Sequence, residues 1–171
     1  MTTTVNDLRL RIDDLRANAK RKEMAEIAFS LEYLSLTDVF ISTDIFSLYL
    51  DVLSDQIIFS KRGVDRFISG LYNDFGKLTA DQKSVLIDTL INNSKRYDDE
   101  SLRFAVGDMI ARKYPLGDAL SAFRRMWLSG EKHSQAIAKF GVDVLYLVLP
   151  KEGSKRDELR KFSLQMARTV K

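Results

Sequence analysis

The chain has 171 residues, of which 45% are hydrophobic, with two prolines, no cysteine and a formal net charge of +3. This length suits one domain with a substantial core, and the lack of cysteine excludes disulfides, thiolate metal sites and cysteine nucleophiles. No apolar run approaches the roughly 20 residues that cross a bilayer, and the N-terminus lacks the pattern of a signal peptide. We therefore expect a cytoplasmic protein that does not enter a membrane.

Charge is distributed unevenly along the chain. Residues 1–22 carry +3, residues 23–60 carry −7, residues 61–98 carry +2 and residues 99–171 carry +5. Residues 23–60, called the acidic segment below, contain seven carboxylates and six aromatic residues but no Lys or Arg. An acidic, aromatic-rich surface suits a positively charged partner, so this segment favours protein recognition.

The predicted elements are all helices, because apolar residues follow a three-four spacing and no proline precedes Pro115. Thr4 is a predicted N-cap with Asp7 at the third helical position. It opens an amphipathic N-terminal helix within residues 1–22. Leu31 then marks the apolar stripe of a second helix, or of a shifted continuation of the first, at the start of the acidic segment.

The third predicted helix lies in the second half of the acidic segment. Its carboxylates fall opposite an apolar stripe, which makes them its expected solvent face. These carboxylates are Asp44, Asp51 and Asp55. Three aromatic residues are expected in the core rather than in a contact surface: Phe40, Phe46 and Phe59.

Caps and turn residues divide the remaining chain. A fourth helix is predicted from Ser60 to Gly76, where a glycine suits the left-handed end of a helix. Thr79 and Gln82 form a capping box for the fifth helix. The sixth helix opens at the acidic pair 98–99, which complements the positive end of the helix dipole.

The C-terminal part is predicted to hold three more elements. The sixth helix must end before Pro115, and Gly130 separates the next two helices. The last is a basic helix over residues 154–171. This makes about eight helices, joined by short polar segments.

A weak internal repeat appears when Pro115 is laid on Pro150, a shift of 35 residues. Leu102 then meets Ile137, and residues 99–150 can be interpreted as a pair of helical repeats. We therefore predict an all-α single domain over residues 1–171, with an irregular helical-repeat or bundle architecture.

The sequence contains no recognisable catalytic motif. His133 is the only histidine, so sites built on several histidines are excluded. The eight glycines do not form a phosphate-binding loop, and no Gly-x-Ser-x-Gly motif is present. We therefore expect neither an enzyme nor a bound metal or cofactor.

The leading hypothesis is a non-enzymatic domain that masks a basic protein through the acidic segment. An immunity protein or antitoxin that neutralises a nuclease toxin would act in this way, by occupying the cleft in which the toxin binds phosphates. The residues proposed for this contact are five carboxylates and two tyrosine anchors: Glu26, Glu32, Tyr33, Asp44, Tyr49, Asp51 and Asp55.

The alternative hypothesis is a helical nucleic-acid-binding protein that uses the basic C-terminal half. Stacked helix pairs can present cations to phosphates without reading the base sequence. The candidate residues are Arg112, Lys113, Arg124, Arg125, Lys155, Arg156, Arg160 and Lys161. Basic residues at helix ends also complement the helix dipole, so part of this pattern has a purely structural explanation.

Overall fold

The computed structural model describes residues 3–18, 21–59 and 62–169. Over these ranges the chain is all-α without a strand, as the sequence predicted, and it has nine α-helices where about eight were expected. The helices are α1 Val5–Asn18, α2 Arg21–Leu34, α3 Thr43–Ser54, α4 Asp65–Asn73, α5 Ala80–Asn93, α6 Glu100–Lys113, α7 Leu116–Leu128, α8 Lys132–Val148 and α9 Ser154–Arg168. Two short 3-10 helices follow α4 and α5, at Phe75–Lys77 and Ser94–Arg96. No helix among the described residues is both long and apolar enough to cross a membrane.

The helices stack in two layers. Helices α1, α3, α5, α7 and α9 pack one after another and form the odd layer. Helices α2, α4, α6 and α8 pack in the same manner and form the even layer. The buried apolar side chains form one continuous cluster, to which every helix contributes. Each helix therefore buries one apolar stripe and leaves its opposite side exposed.

The connections repeat at a nearly constant distance along the chain. The second helix of each pair begins at Thr43, Ala80, Leu116 and Ser154, so successive starts are 36 to 38 residues apart. Periods near this value are typical of paired-helix repeats, in which each pair covers the apolar face of its neighbour. The structure is therefore a stack of four helix pairs, with α1 packed against the first.

The 35-residue shift that lays Pro115 on Pro150 also lays α6 on α8. Helices α6 and α8 occupy neighbouring, equivalent places in the even layer, and α7 and α9 do so in the odd layer. The matched residues Leu102 and Ile137 are both fully buried. The sequence comparison stopped at residue 98, whereas the stacked pairs continue towards the N-terminus.

Several predicted caps are present. Thr4 and Asp7 exchange hydrogen bonds at the start of α1, and Thr79 and Gln82 form the capping box of α5. Asp99 caps α6 by accepting a hydrogen bond from the backbone N–H of Leu102. These local signals depend on residues three apart in sequence, which is why they could be predicted without the fold.

The end of the fourth helix differs from the prediction. Helix α4 ends at Asn73, and Gly76 lies in a 3-10 helix without a positive φ, so its expected left-handed role is wrong. The predicted start at Ser60 lies outside the described residues. Helix α9 is preceded by Gly153, whose φ of 107° supplies the left-handed turn into the helix. Residues 170–171 of the predicted basic helix also lie outside the described residues.

Two glycines allow α8 to approach its neighbours closely. A Cβ at Gly107 would come within 3.1 Å of the carbonyl oxygen of Ile137, and a Cβ at Gly141 would overlap the ring of Phe123. Helix α8 therefore packs tightly on α6 through the first glycine and on α7 through the second. Helices α6, α7 and α8 are therefore closely packed.

Candidate protein-binding surface

The acidic segment does not form one face. Its carboxylates on α2 belong to the even layer, whereas those on α3 belong to the odd layer. The two groups are separated because successive helices of a stacked pair alternate between layers. Glu26 and Glu32 therefore share a helix with Tyr33, and Asp44 and Asp51 lie on the other layer.

Arginines of α1 compensate much of the negative charge. Arg9 contacts Asp51 at 3.2 Å and Arg11 contacts Glu26 at 3.5 Å, through side chains that remain 40 to 50% exposed. Lys22 also lies 3.8 Å from Glu26. Exposed pairs of this kind contribute little to stability. They do, however, compensate part of the charge of the acidic segment, because the cations come from outside that segment.

Asp55 has a structural role at the end of α3. One of its carboxylate oxygens accepts a hydrogen bond of 2.6 Å from Arg16. The other accepts hydrogen bonds from the backbone N–H groups of Ile57 and Ile58. Burial by itself would raise the pKa of Asp55, but these hydrogen bonds outweigh it and hold the pKa below its ordinary value. Asp55 is thus engaged inside the molecule and has no oxygen free for a partner.

The remaining carboxylates divide into engaged and free ones. Glu32 accepts a hydrogen bond of 2.8 Å from Asn73, which joins the C-terminal ends of α2 and α4. Asp38 and Asp44 are exposed, and neither forms an ion pair with another described residue. The carboxylates available to a basic partner are therefore fewer than predicted, and they flank the connection between α2 and α3.

Tyr49 does not belong to the surface, and its prediction as an anchor is wrong. Its side chain is fully buried beside Gly70 and packs edge-to-face on Phe67. Burial, together with the charges of Asp74 and Glu32, raises the pKa of its hydroxyl. The error arose because α3 buries a wider stripe than the carboxylate spacing indicated, including Leu48 and Tyr49.

An exposed apolar surface lies on the outer side of α2 and on the loop that follows it. Its five side chains are 61 to 76% exposed. They are Phe29, Tyr33, Leu36, Val39 and Phe40, called the aromatic patch below. The expectation that Phe40 lies in the core is wrong, whereas Phe46 and Phe59 are buried as predicted. Tyr33 is the predicted anchor that the structure does place at the surface.

The loop that carries three of the five residues of the aromatic patch is held by a buried polar cluster. The hydroxyl of Ser35, fully buried, donates a hydrogen bond of 2.7 Å to Asp74. Lys77 contacts Asp74 at 2.9 Å and donates to the carbonyl oxygens of Ser35 and Leu36 at 2.6 and 3.3 Å. These contacts tie the end of α2 to the 3-10 helix after α4.

The other end of the loop is fixed to the same region. The backbone N–H of Ile41 donates to the carbonyl oxygen of Lys77 at 3.1 Å, and Gln82 donates to the carbonyl oxygen of Ile41. Ser42 then caps α3 by accepting from the N–H of Ile45. Leu36 and Ile41 are therefore both hydrogen-bonded to Lys77. Residues 36–40 form an exposed loop whose two ends are held by these hydrogen bonds.

The basic residues of the alternative hypothesis are mostly engaged within the chain. Arg112 pairs with Asp108 at 2.7 Å, Arg125 pairs with Asp88 at 2.8 Å, and Arg160 pairs with Asp157 at 3.2 Å. Three others lie over aromatic rings: Lys113 on Tyr72, Arg124 on Phe162 and Arg156 on Tyr146. Only Lys155 and Lys161 of the eight lack a partner among the described residues. The set is distributed over α6, α7 and α9.

No catalytic or metal-binding arrangement is visible among the described residues. They contain no group of three or more His, Asp or Glu side chains that could hold a metal ion. His133 is half-buried, and its Nδ1 lies 3.2 Å from the guanidinium of Arg103. Since an arginine can only donate, Nδ1 is the acceptor and the histidine is part of a structural contact.

Comparison with known proteins gives no match: no family model fits the sequence, and no curated protein or solved structure is detectably similar to it.

Proposed function

We propose that this chain is a non-enzymatic protein-binding domain that contacts a basic partner through the aromatic patch. The observation that carries the proposal is the presence of five large, exposed apolar side chains within residues 29–40, on a segment that the fold holds in place. Single exposed hydrophobic residues are common, but a group of this size is typical of an interaction surface.

The composition of the patch supports a role in recognition. Phe29, Tyr33 and Phe40 are aromatic, and aromatic side chains supply most of the energy at protein interfaces. Phe29 and Tyr33 are four residues apart on α2, so they lie on one side of the helix. Such a pair offers a partner a large apolar area at a small cost in side-chain entropy.

The charge around the patch supports a basic partner. Asp38 lies within the projecting loop and Asp44 follows it, and both are exposed without an ion pair to another described residue. Glu32 adds negative charge on α2, because the Asn73 side chain that it contacts is neutral. Carboxylates at the rim of an apolar contact speed association with a cationic surface and select against an anionic one. Among cationic partners, a nuclease toxin has a positive cleft that these carboxylates could occupy, which would make the chain an immunity protein or antitoxin.

The support of the loop favours binding without rearrangement. The contacts of Ser35, Asp74 and Lys77 hold residues 36–40 before any partner is present. A surface that is already ordered loses less conformational entropy when it binds. The buried polar cluster therefore has a function under this proposal, which is to present Leu36, Val39 and Phe40.

The proposal can be tested by capture from a lysate of the native host with three forms of the chain. They are the wild type, a patch variant with Phe29→Ala, Tyr33→Ala and Phe40→Ala, and a control variant with Leu128→Ala, Leu147→Ala and Leu164→Ala. The control residues are 59 to 79% exposed and lie on α7, α8 and α9. Each capture is made with and without nuclease, and at low and high salt.

We expect the wild type and the control variant to retain the same basic protein after nuclease treatment, and the patch variant to lose it. Asp38→Asn with Asp44→Asn should slow association and flatten its salt dependence, because these charges steer the encounter. Equal retention by the patch variant would contradict the proposal. Recovery of nucleic acid alone would instead favour the basic C-terminal half as the binding surface.

A further inference from the structure

A groove separates α5 from α7 in the odd layer, away from the aromatic patch. It encloses about 500 Å³, and its apolar floor is formed by Ile87, Ile91 and Ala122. Phe75 and Tyr114 close one end, with their rings edge-to-face at 4.9 Å. This volume lies within the range of about 300 to 1,000 Å³ that is usual for small-molecule sites.

Two lysines at the closed end have no carboxylate partner among the described residues. The ammonium of Lys83 lies 5.0 Å from the centre of the Phe75 ring, and that of Lys113 lies 3.9 Å from the centre of the Tyr72 ring. The hydroxyl of Tyr114 donates to the carbonyl oxygen of Lys83, so the lysine backbone is fixed at the groove. A cation on an aromatic ring keeps its full charge and can still bind an anion.

The charge that lines the groove is predominantly positive. Lys83, Lys113 and Arg125 line it, against the single carboxylate of Asp118. Arg125 is compensated by Asp88 at 2.8 Å, which leaves the two lysines as the cations available to a ligand. Lys113 and Arg125 belong to the predicted nucleic-acid set, and this groove is where the structure brings them together.

The polar groups on the walls complement this charge. Ser84 on α5 and Ser121 on α7 face each other across the groove as exposed lining residues, and neither side chain is hydrogen-bonded to another described residue. Hydroxyl donors and ammonium groups beside an apolar floor suit a ligand that has an apolar body and an anionic head.

We propose that the α5–α7 groove binds a small organic anion, whose apolar body lies on Ile87 and Ile91 and whose phosphate or carboxylate group binds Lys83 and Lys113. This site is independent of the proposed function, since it lies on other helices and would bind another class of ligand. The two anionic groups share the same chemistry towards lysine, and the experiment below distinguishes them.

The test is a titration of the isotopically labelled full chain, followed by amide chemical shifts. The probes are 1-naphthyl phosphate, 1-naphthoate and the uncharged 1-naphthol. We expect saturable shifts at Ser84, Ile87 and Ser121 with at least one of the two anions, which identifies the preferred head group. Naphthol should bind about tenfold more weakly, the effect of losing one charge-assisted hydrogen bond.

Lysine variants supply the matched comparison. Lys83→Gln with Lys113→Gln should weaken binding of the anion about tenfold or more, because both head-group contacts lose their charge. Lys139→Gln with Lys155→Gln removes two exposed lysines outside the groove and should leave the affinity unchanged. Unchanged amide shifts elsewhere in the free variants show that the fold is intact.

Three results from titration of the wild type would overturn the proposal. They are shifts confined to the aromatic patch, equal affinity for naphthol and the anions, and the absence of a saturable shift at about 10 mM probe, where a millimolar site would be occupied. An equal loss of affinity in the Lys139 and Lys155 variant would also overturn it, because binding would then reflect net charge alone.

Discussion

Arg16 on α1 and Asp55 after α3 form an ion pair with an N–O distance of 2.6 Å, and this pair joins the first and second helices of the odd layer. The side chain of Asp55 is only 13% exposed, and its second oxygen holds the turn that follows α3. A carboxylate that the sequence suggested for a partner is therefore part of the structure that supports the acidic segment.

Replacing Asp55 tests this role through the pH dependence of stability. Asp55→Asn should lower the free energy of unfolding by about 1 kcal/mol or more at pH 7, since the carboxylate accepts three hydrogen bonds, one from an arginine. The pKa of Asp55 is lowered in the folded state. Its contribution is therefore complete above the unfolded pKa of about 3.9 and is lost as pH falls through the lower folded value.

The measurement is urea unfolding of wild type and Asp55→Asn from pH 7 to pH 3. The difference in stability should stay constant down to about pH 4 and then shrink. Asp44→Asn serves as the control, because Asp44 is exposed and forms no ion pair with another described residue. It should change stability little at any pH. A difference for Asp55→Asn that grows as the solution becomes more acidic would contradict this account.

Two buried tyrosines should respond differently to loss of the hydroxyl. The hydroxyl of Tyr49 is buried without a hydrogen-bond partner among the described residues, whereas that of Tyr97 donates to the carbonyl oxygen of Leu53 at 2.8 Å. We expect Tyr97→Phe to cost about 1 to 2 kcal/mol, and Tyr49→Phe to be neutral or stabilising within about 1 kcal/mol. Denaturant unfolding of the two variants checks this. A greater loss of stability in Tyr49→Phe than in Tyr97→Phe would show that the Tyr49 hydroxyl forms a hydrogen bond.

Two glycine positions test the close packing of α8. Gly141→Ala should destabilise the protein by roughly 1 to 3 kcal/mol, because the added methyl group would overlap Phe123 within a packed interface. Gly117→Ala is the matched control, since its position is helical and, beyond its own helix backbone and chain neighbours, no atom of a described residue lies within 4 Å of its added Cβ. The control should be neutral or stabilising by up to about 1 kcal/mol. Equal tolerance of both substitutions in thermal unfolding would show that the α7–α8 interface can readily expand.

The aromatic patch should be dispensable for folding. Its side chains are exposed, so truncating Phe29, Tyr33 and Phe40 to alanine should change the free energy of unfolding by no more than about 1 kcal/mol in total. Ser35→Ala should cost more, roughly 1 to 3 kcal/mol, because it leaves the buried carboxylate of Asp74 with one partner fewer. Denaturant unfolding compares the two variants. A large loss of stability in the patch variant would mean that the patch side chains belong to the core.

Local signals in the sequence predicted most of the helices. The capping box of Thr79 and Gln82 and the N-cap at Asp99 depend on short-range hydrogen bonds, and both are present. Pro115 and Gly130 bound α7 as expected, because each restricts the backbone at its own position. The stack towards the N-terminus was missed because α4 has only nine residues, which obscures the period.

The composition of the surface was predicted less accurately than the helices were. Charges of Asp51 and Asp55 are compensated by arginines about 40 residues away, and only the packing of α1 on α3 brings them together. Phe29 and Tyr33 did give a usable signal, because they are four residues apart and out of phase with the buried Ile27 and Leu31. Phe40 lies in a loop, where periodicity indicates nothing about burial.

Site-specific photo-cross-linking tests the central claim most directly. A benzoylphenylalanine introduced at Phe29 or at Phe40 would report contact on both parts of the aromatic patch, and one at Leu147 on α8 provides an exposed control. The account predicts that the two patch positions cross-link to the same basic protein in the native host and that Leu147 does not. Cross-linking of that protein through Leu147 alone, with none at the patch, would contradict the account.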